Sequence, residues 1–367
     1  MKQFTSITIC KTLTIKNFKI MKKVFFPLAA FAALVLCASC NKEEMPKGNA
    51  ETPVQGEALV SVVANTGFET KATGIKDDAT DTKKVNSLQV FAFDSEGVLR
   101  AYESTTSGSS VSMKLNTGKE YTFYAVANNY GGSAWKYAGV ATATSASSLA
   151  SILTDLKDNA KDNLLMYSQT GVKKTIDKNV SSVSIEVTRL VSKVQIKKIV
   201  VDFGTNAALK SKSFKIDSIY VINAAAKETF GLAPESTVTY YNQAKFISGN
   251  ADALLLDKLA TPFELSSSAG VAKNYETVHT FFTYGNKTTK PTRLVVSCNW
   301  GGERTYYPIN IAGNDSALTP NCAYIINQLT IKGLGSDDPD VVPERKDFTA
   351  SVTVKDWGTG FEKTVEL

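Results

Sequence analysis

The sequence predicts a mainly β protein: two β-sandwich domains in tandem, with one or two short helices. Three observations lead there. Short apolar alternations recur along the chain, separated by clusters of Gly, Asn, Asp and Ser. Helix-period spacing is clear in one place only. A 40-residue leader taken from 367 residues leaves enough chain for two domains, each with its own core.

The elements follow in order. Residues 21–40 read MKKVFFPLAAFAALVLCASC, with Lys22 and Lys23 as a basic start, residues 24–36 as an apolar run, and Ala38 and Ser39 before Cys40. A 13-residue apolar run is shorter than the roughly 20 residues a membrane-spanning helix needs, so the segment reads as a signal peptide. Met21 is expected to be the true start. Small residues before Cys40 and the polar run NKEEMPKGN after it resemble a bacterial lipoprotein processing site, in which the cysteine thiol is acylated. An ordinary secretory signal cut near Cys40 is the alternative. All six leader charges are lysines, so 41 basic and 35 acidic residues become 35 of each after export. A neutral chain lacks the basic surplus of a nucleic-acid surface, and no nucleic-acid partner is expected.

Residues 41–56 are polar, with Pro46 and Pro53, and read as a flexible tether. The first strand candidate, 58–64 (ALVSVVA), places Ala58, Val60, Val62 and Ala64 on one face. Further candidates are 87–93, 121–127, 183–187 and 190–201, then 215–223, 294–298, 305–311 and 323–331, with a domain boundary near residues 188–193. Leu149, Ile152, Leu153 and Leu156 follow helical spacing and predict a helix over 147–159. Fifteen side chains are expected in the cores: Val60, Val62, Leu88, Val90, Phe91, Phe123, Tyr124, Val194, Ile196, Ile219, Val221, Leu294, Ile309, Ile325 and Leu329. A soft linker, GLGSDDPDVVPERK at 333–346, precedes the strand 348–354. There Phe348, Ala350, Val352 and Val354 share one face, and Trp357, Phe361, Val365 and Leu367 extend the apolar series.

Chemistry is sparse. No catalytic constellation is found, so no enzyme and no cofactor is predicted. The single histidine, His279, alternates with apolar residues and reads as a packed side chain; one histidine excludes His-rich metal clusters. Asp77, Asp78 and Asp81 lack EF-hand spacing and read as a solvated turn, so no metal site is predicted. Cys298 and Cys322 are either bridged or two separate thiols. Aromatic residues, 10% of the chain, fit core packing or a glycan platform. A terminal strand with an apolar face either docks on its own domain or joins another copy's sheet by strand addition.

Seven stretches then carry a family resemblance. EALVSVVANTGFETKATG and KKVNSLQVFAF resemble the mature N-terminal region of FimA-type major fimbrial subunits of Bacteroidales (type V pili). SIEVTRLVSKVQIKKI is similar to their middle strand. RTYYPINI, NCAYIINQLTIKGLG, the acidic linker and FTASVTVKDW resemble their C-terminal region, in the same order. The resemblance implies transthyretin-like sandwiches at 72–188 and 189–346. It implies a precursor palmitoylated at Cys40, held at the outer membrane by lipid, and cut by a trypsin-like protease between Lys71 and Ala72. Family members carry Arg at that position, so Lys71 implies a Lys-accepting enzyme. Segment 41–71 would then be removed with its strand Ala58, Val60, Val62 and Ala64. A donor segment, 347–367, would fill the groove of another copy. The resulting stalk of an extracellular fimbrium, with anchor and tip fimbrial subunits as further partners, would serve adhesion, biofilm formation and virulence. The alternative is a monomeric outer-membrane lipoprotein that binds glycan or host protein.

Overall fold

The computed structural model describes residues 56–66, 83–180, 182–233, 237–265, 272–285, 290–312, 318–344, 347–356 and 362–366. All of them belong to one compact unit, Pro53–Leu367. Cys40, Lys71, Ala72, Asp77, Asp78, Asp81, Trp357, Phe361 and Leu367 lie outside the described residues.

Strands dominate. Among those that build the two cores and the chain's ends are β1 (Glu57–Asn65), β2 (Leu88–Phe93), β3 (Leu99–Thr105), β4 (Ser110–Asn116), β5 (Lys119–Ala127), β6 (Ser182–Glu186) and β7 (Val191–Ile196) in the first part of the chain. They continue with β8 (Phe214–Ile222), β9 (Arg293–Trp300), β10 (Glu303–Asn310), β11 (Cys322–Ile331), β12 (Phe348–Asp356) and β13 (Glu362–Glu366).

Two sandwiches result. A three-stranded sheet, β6–β1–β4, faces a six-stranded sheet built on β5, β2 and β3. Val60, Val62, Met113, Leu115, Val183 and Ile185 from one sheet meet Leu88, Val90, Phe123 and Ala125 from the other. A nine-stranded sheet contains β7, β11, β12 and β13, and a four-stranded sheet contains β8, β9 and β10. Val194, Ile326, Leu329, Phe214, Ile216, Leu294 and Ile309 pack in this second core.

β2 explains how the cores connect. Its sequence LQVFAF has almost no polar position, and all six residues are buried. Leu88, Val90 and Ala92 enter the first core, while Phe91 and Phe93 enter the second. A strand covered on both faces has no solvent side to encode, so its sequence is a nearly continuous apolar run. The one polar residue, Gln89, is fully buried and bonded: it donates to the Tyr102 hydroxyl at 2.8 Å and accepts from Asn129 at 2.7 Å.

A second polar cluster binds the two parts of the chain. Thr154 Oγ1 lies 2.8 Å from the Tyr284 hydroxyl, which also accepts from Asn159 Nδ2 at 3.0 Å. The Tyr137 hydroxyl donates to Asp158 and the Tyr241 hydroxyl to Asp155, each at 2.6 Å.

Several expectations change. The helix at 147–159 ends after one turn, Ala146–Ala150, opened by a capping box on Ser145. Leu153–Asp155 then pairs as a strand with Lys227–Thr229, and Leu153 is 41% exposed. The strand at 190–201 is two, Val191–Ile196 and Ile199–Val201, both parallel to β11. The interruption sits opposite the register shift between Ile326 and Gln328, where Asn327 is the extra residue. Tyr124 is only half-buried, at the edge of the second core, whereas the other fourteen expected core residues are buried. The linker after β11 is fastened to the four-stranded sheet over 333–340.

Candidate functional site

β1 is the middle strand of its sheet. It runs antiparallel to β4, from Glu57 opposite Asn116 to Val63 opposite Ser110, and parallel to β6, from Ser61 opposite Ser182 to Asn65 opposite Glu186. A strand with two neighbours forms backbone hydrogen bonds along both edges, so its departure would strip β4 and β6 together.

Alternation fixes which face is hidden. Val60 and Val62 are fully buried, Ala64 is 5% exposed and Ala58 packs at the margin. Leu59 is 64% exposed and Val63 36%, on a face that also carries Ser110, Ser112 and Lys114 of β4 and Ser182 and Ser184 of β6. Both ends are tied. The Gly56 carbonyl accepts from the Thr117 amide and hydroxyl, and the Asn65 carbonyl accepts from the Val187 amide at 2.8 Å. Asn65 Nδ2 donates to Ser184 Oγ at 2.6 Å.

The C-terminal strand sits in its own sheet. β12 pairs antiparallel with β11 over nine residue pairs, from Ile331 opposite Phe348 to Cys322 opposite Asp356. Phe348, Ala350 and Val352 are buried in the second core. β13 adds to its outer edge, with Val352 opposite Val365 and Val354 opposite Lys363. β1 and β12 are each nine residues long, EALVSVVAN and FTASVTVKD, and each alternates small or branched apolar residues with mostly polar ones.

Among the remaining candidates, His279 is 4% exposed. Its Nδ1 lies 2.7 Å from Asp257 Oδ2 and its Nε2 lies 2.9 Å from the Tyr275 hydroxyl, which links Leu256–Leu265 to Lys273–Tyr275. Cys298 and Cys322 are not bridged, and burial pushes the Cys298 thiol pKa up. No group of three metal-ligating side chains occurs among the described residues.

Sequence reasoning found one groove wall, β6, and missed the other, β4, together with β3 of the facing sheet. β4, SVSMKLN, alternates cleanly, with Val111, Met113 and Leu115 inward, so its signal was present. β3, LRAYEST, is half-buried or exposed throughout and carries no period to read.

The profile of the family described as Fimbrillin-A associated anchor proteins Mfa1 and Mfa2 matches residues 51–362. A candidate cell adhesion protein from Bacteroides eggerthii has a similar structure: TM-score 0.62, 20% identity, 84% of this chain and 98% of that one covered. A fimbrilin, FimA, from Porphyromonas gingivalis gives TM-score 0.55 at 16% identity, covering 83% and 98%. A candidate cell adhesion protein from Parabacteroides distasonis gives 0.55 at 16%, covering 84% and 100%. At these identities the likeness shows the fold, including its β-sandwich architecture. No curated protein matches significantly.

Proposed function

The chain belongs to the family of fimbrillin-A associated anchor proteins Mfa1 and Mfa2, and we propose that it is a structural stalk subunit of a surface fimbria, polymerised by donor-strand exchange. The carrying observation is the place of β1. It is a central strand whose inward side chains complete a core, and it is the first strand of the described chain.

In this reading the precursor is exported, acylated on Cys40 and held by lipid at the outer membrane. Cleavage between Lys71 and Ala72 by a trypsin-like protease cuts the covalent tie between β1 and the rest of the subunit. β1 then stays only through non-covalent contacts. Each fully buried valine contributes about 1.5–3 kcal/mol by transfer, before ordering costs. Loss of β1 opens a groove between β4 and β6 with two bare edges. A nine-residue strand with the same alternation refills it, and 348–356 of another copy is such a strand. A groove on one part of the molecule and a donor on another form a heterologous contact, which propagates as a filament. Tandem sandwiches at 72–188 and 189–346, with anchor and tip fimbrial subunits as end partners, complete the proposal.

A second reading has one observation in its favour: β12 is seated in its own sheet with its apolar face buried. That is the arrangement of a monomeric surface lipoprotein binding glycan or host protein. Trypsin treatment of residues 41–367, followed by electron microscopy, separates the two. Filaments after cutting favour the stalk subunit, and persistent monomers favour the lipoprotein.

A further inference from the structure

The chain between β11 and β12 is anchored for half its length. The Tyr307 hydroxyl donates to the Gly333 carbonyl at 2.7 Å. Tyr306 and Ser336 exchange both backbone hydrogen bonds, at 2.8 and 2.9 Å. A side chain at Gly335 would run into the Tyr306 carbonyl, so glycine is what lets the linker lie against β10. Asp340 is the most heavily bonded point of 333–340. Its carbonyl accepts from Arg293 Nη1 at 2.7 Å, and its Oδ1 accepts from the same nitrogen and from Asn223 Nδ2, the latter at 2.8 Å. Arg293 Nε in turn donates to Asn310 at 2.8 Å. The Arg293 and Asp340 side chains are 14% and 21% exposed, a partly desolvated setting in which a charge-assisted pair holds well. Inside the segment, the Asp338 amide donates to Ser336 Oγ and the Asp340 amide to Asp338 Oδ1.

None of these anchors is on β11 or β12. Arg293 is on β9, Tyr306, Tyr307 and Asn310 are on β10, and Asn223 directly follows β8. Bonds that do require a seated β12 lie at the hairpin base, where the Lys332 and Gly333 amides donate to the Asp347 carbonyl at 2.8 and 2.9 Å. The Arg293–Asp340–Asn223 and Tyr306–Ser336 bonds use neither strand, whereas Tyr307 also packs on Phe348, ring centroids 6.4 Å apart, and Gly333 belongs to both sets.

We propose that the Arg293–Asp340–Asn223 clamp, with the Tyr306–Ser336 bridge, is the fixed root of the donated strand. This deepens the stalk-subunit reading and rests on it. When β12 leaves its own sheet for another copy, the hairpin base opens and 333–340 stays in place, so the moving segment begins at Val341. The consequence is reach. Seven residues, 341–347, separate the root from Phe348, and at about 3.3–3.6 Å per extended residue they span at most about 25 Å. Without the clamp fifteen residues, 333–347, would span about 50 Å. Halving the tether restricts the positions at which another copy's groove can take the strand. Arg293 and Asn223 are thus positioning residues for assembly.

Hydrogen exchange on the full exported chain, before cleavage and after assembly, tests this. Amides in 334–340 are expected to keep their protection in the filament, while 341–347 exchange faster. Equal loss of protection in both segments on assembly would overturn the proposal. Arg293→Ala is expected to expose 334–340 already in the monomer, to leave β9 and β10 protected, and to broaden the subunit repeat along the filament. Asp340→Ala, at a more exposed position, gives the same test should Arg293→Ala fail to fold. Unchanged protection of 334–340 in Asp340→Ala would also overturn the proposal. If 341–367 keeps monomer-like exchange in the filament, the donor-strand reading itself fails, and the clamp proposal with it.

Discussion

Val60 and Val62 are where sequence pattern and energetics coincide most simply. Each loses two buried methyl groups on truncation, so Val60→Ala and Val62→Ala should each lower the stability of the uncleaved chain by about 2 kcal/mol. Leu59→Ser, at a 64% exposed position one residue away, should change it by less than about 0.5 kcal/mol. Urea unfolding midpoints check both. In ALVSVVA only Ser61 is polar, so the sequence marks a strand, and packing of its Val60–Val62 face decides that Leu59 and Val63 point outward. Gln89 and Tyr124 were not legible, because partners distant in the chain decide them. Gln89 is satisfied by Tyr102 and Asn129, and Tyr124 lies in a run, YTFYAVA, with no clean period to mark its face. The buried tyrosines also set a pH dependence. Burial raises the pKa of the Tyr284 phenol, and burial together with the hydrogen bond to Asp158 raises that of Tyr137. A phenol titrates near 10 in the unfolded chain. Stability from these groups is therefore fully present below about pH 10 and is lost as pH rises above it. Urea midpoints should hold between about pH 8 and 9.5 and fall beyond about pH 10, less steeply in Tyr284→Phe.

Most strands rich in apolar residues were legible as elements, β4 being the exception despite its clean alternation; those decided by pairing partners were not. The 3.6-residue spacing at 149–156 predicted a helix, yet the open edge of Lys227–Thr229 captured Leu153–Asp155 as a strand. Tertiary pairing overrides a weak local pattern when the segment is rich in Ser and Thr, which are indifferent helix formers. The acidic linker read as soft because Asp337, Asp338 and Asp340 are polar; the arginine that fixes Asp340 comes from 47 residues upstream. β12 carries the assembly prediction at this scale. Val352→Asp should block filament formation, but Val352 is 1% exposed in its own sheet, so the same change should also lower monomer stability by several kcal/mol. Scoring assembly against the unfolding midpoint separates the effects. Val365→Asp on β13 should leave assembly intact if 348–356 is the donated part, and should block it if the last strand inserts as well.

For the molecule as a whole, the sandwich architecture followed from recurring apolar alternation and the family from the order of seven sequence stretches, while the processing sites rest on the sequence alone. Cys40→Ala should abolish incorporation of a labelled fatty-acid analogue and surface delivery; equal labelling of both proteins would remove the lipoprotein assignment. Lys71→Ala should prevent cutting and polymerisation and leave the urea midpoint of the monomer unchanged. Bypass through Lys76, Lys83 or Lys84 would show as a new fragment by mass spectrometry.

Donor-strand exchange is tested most directly by truncation. Residues 41–367 and the same protein lacking 348–367 are cut with a trypsin-like protease and imaged by electron microscopy side by side. Exchange through the C-terminal segment predicts filaments from the full chain and none from the truncated one. The truncated subunit should still accept a strand, and so should cap and shorten filaments when mixed with full-length protein. Filaments of normal length from the cut, truncated protein alone would contradict the mechanism.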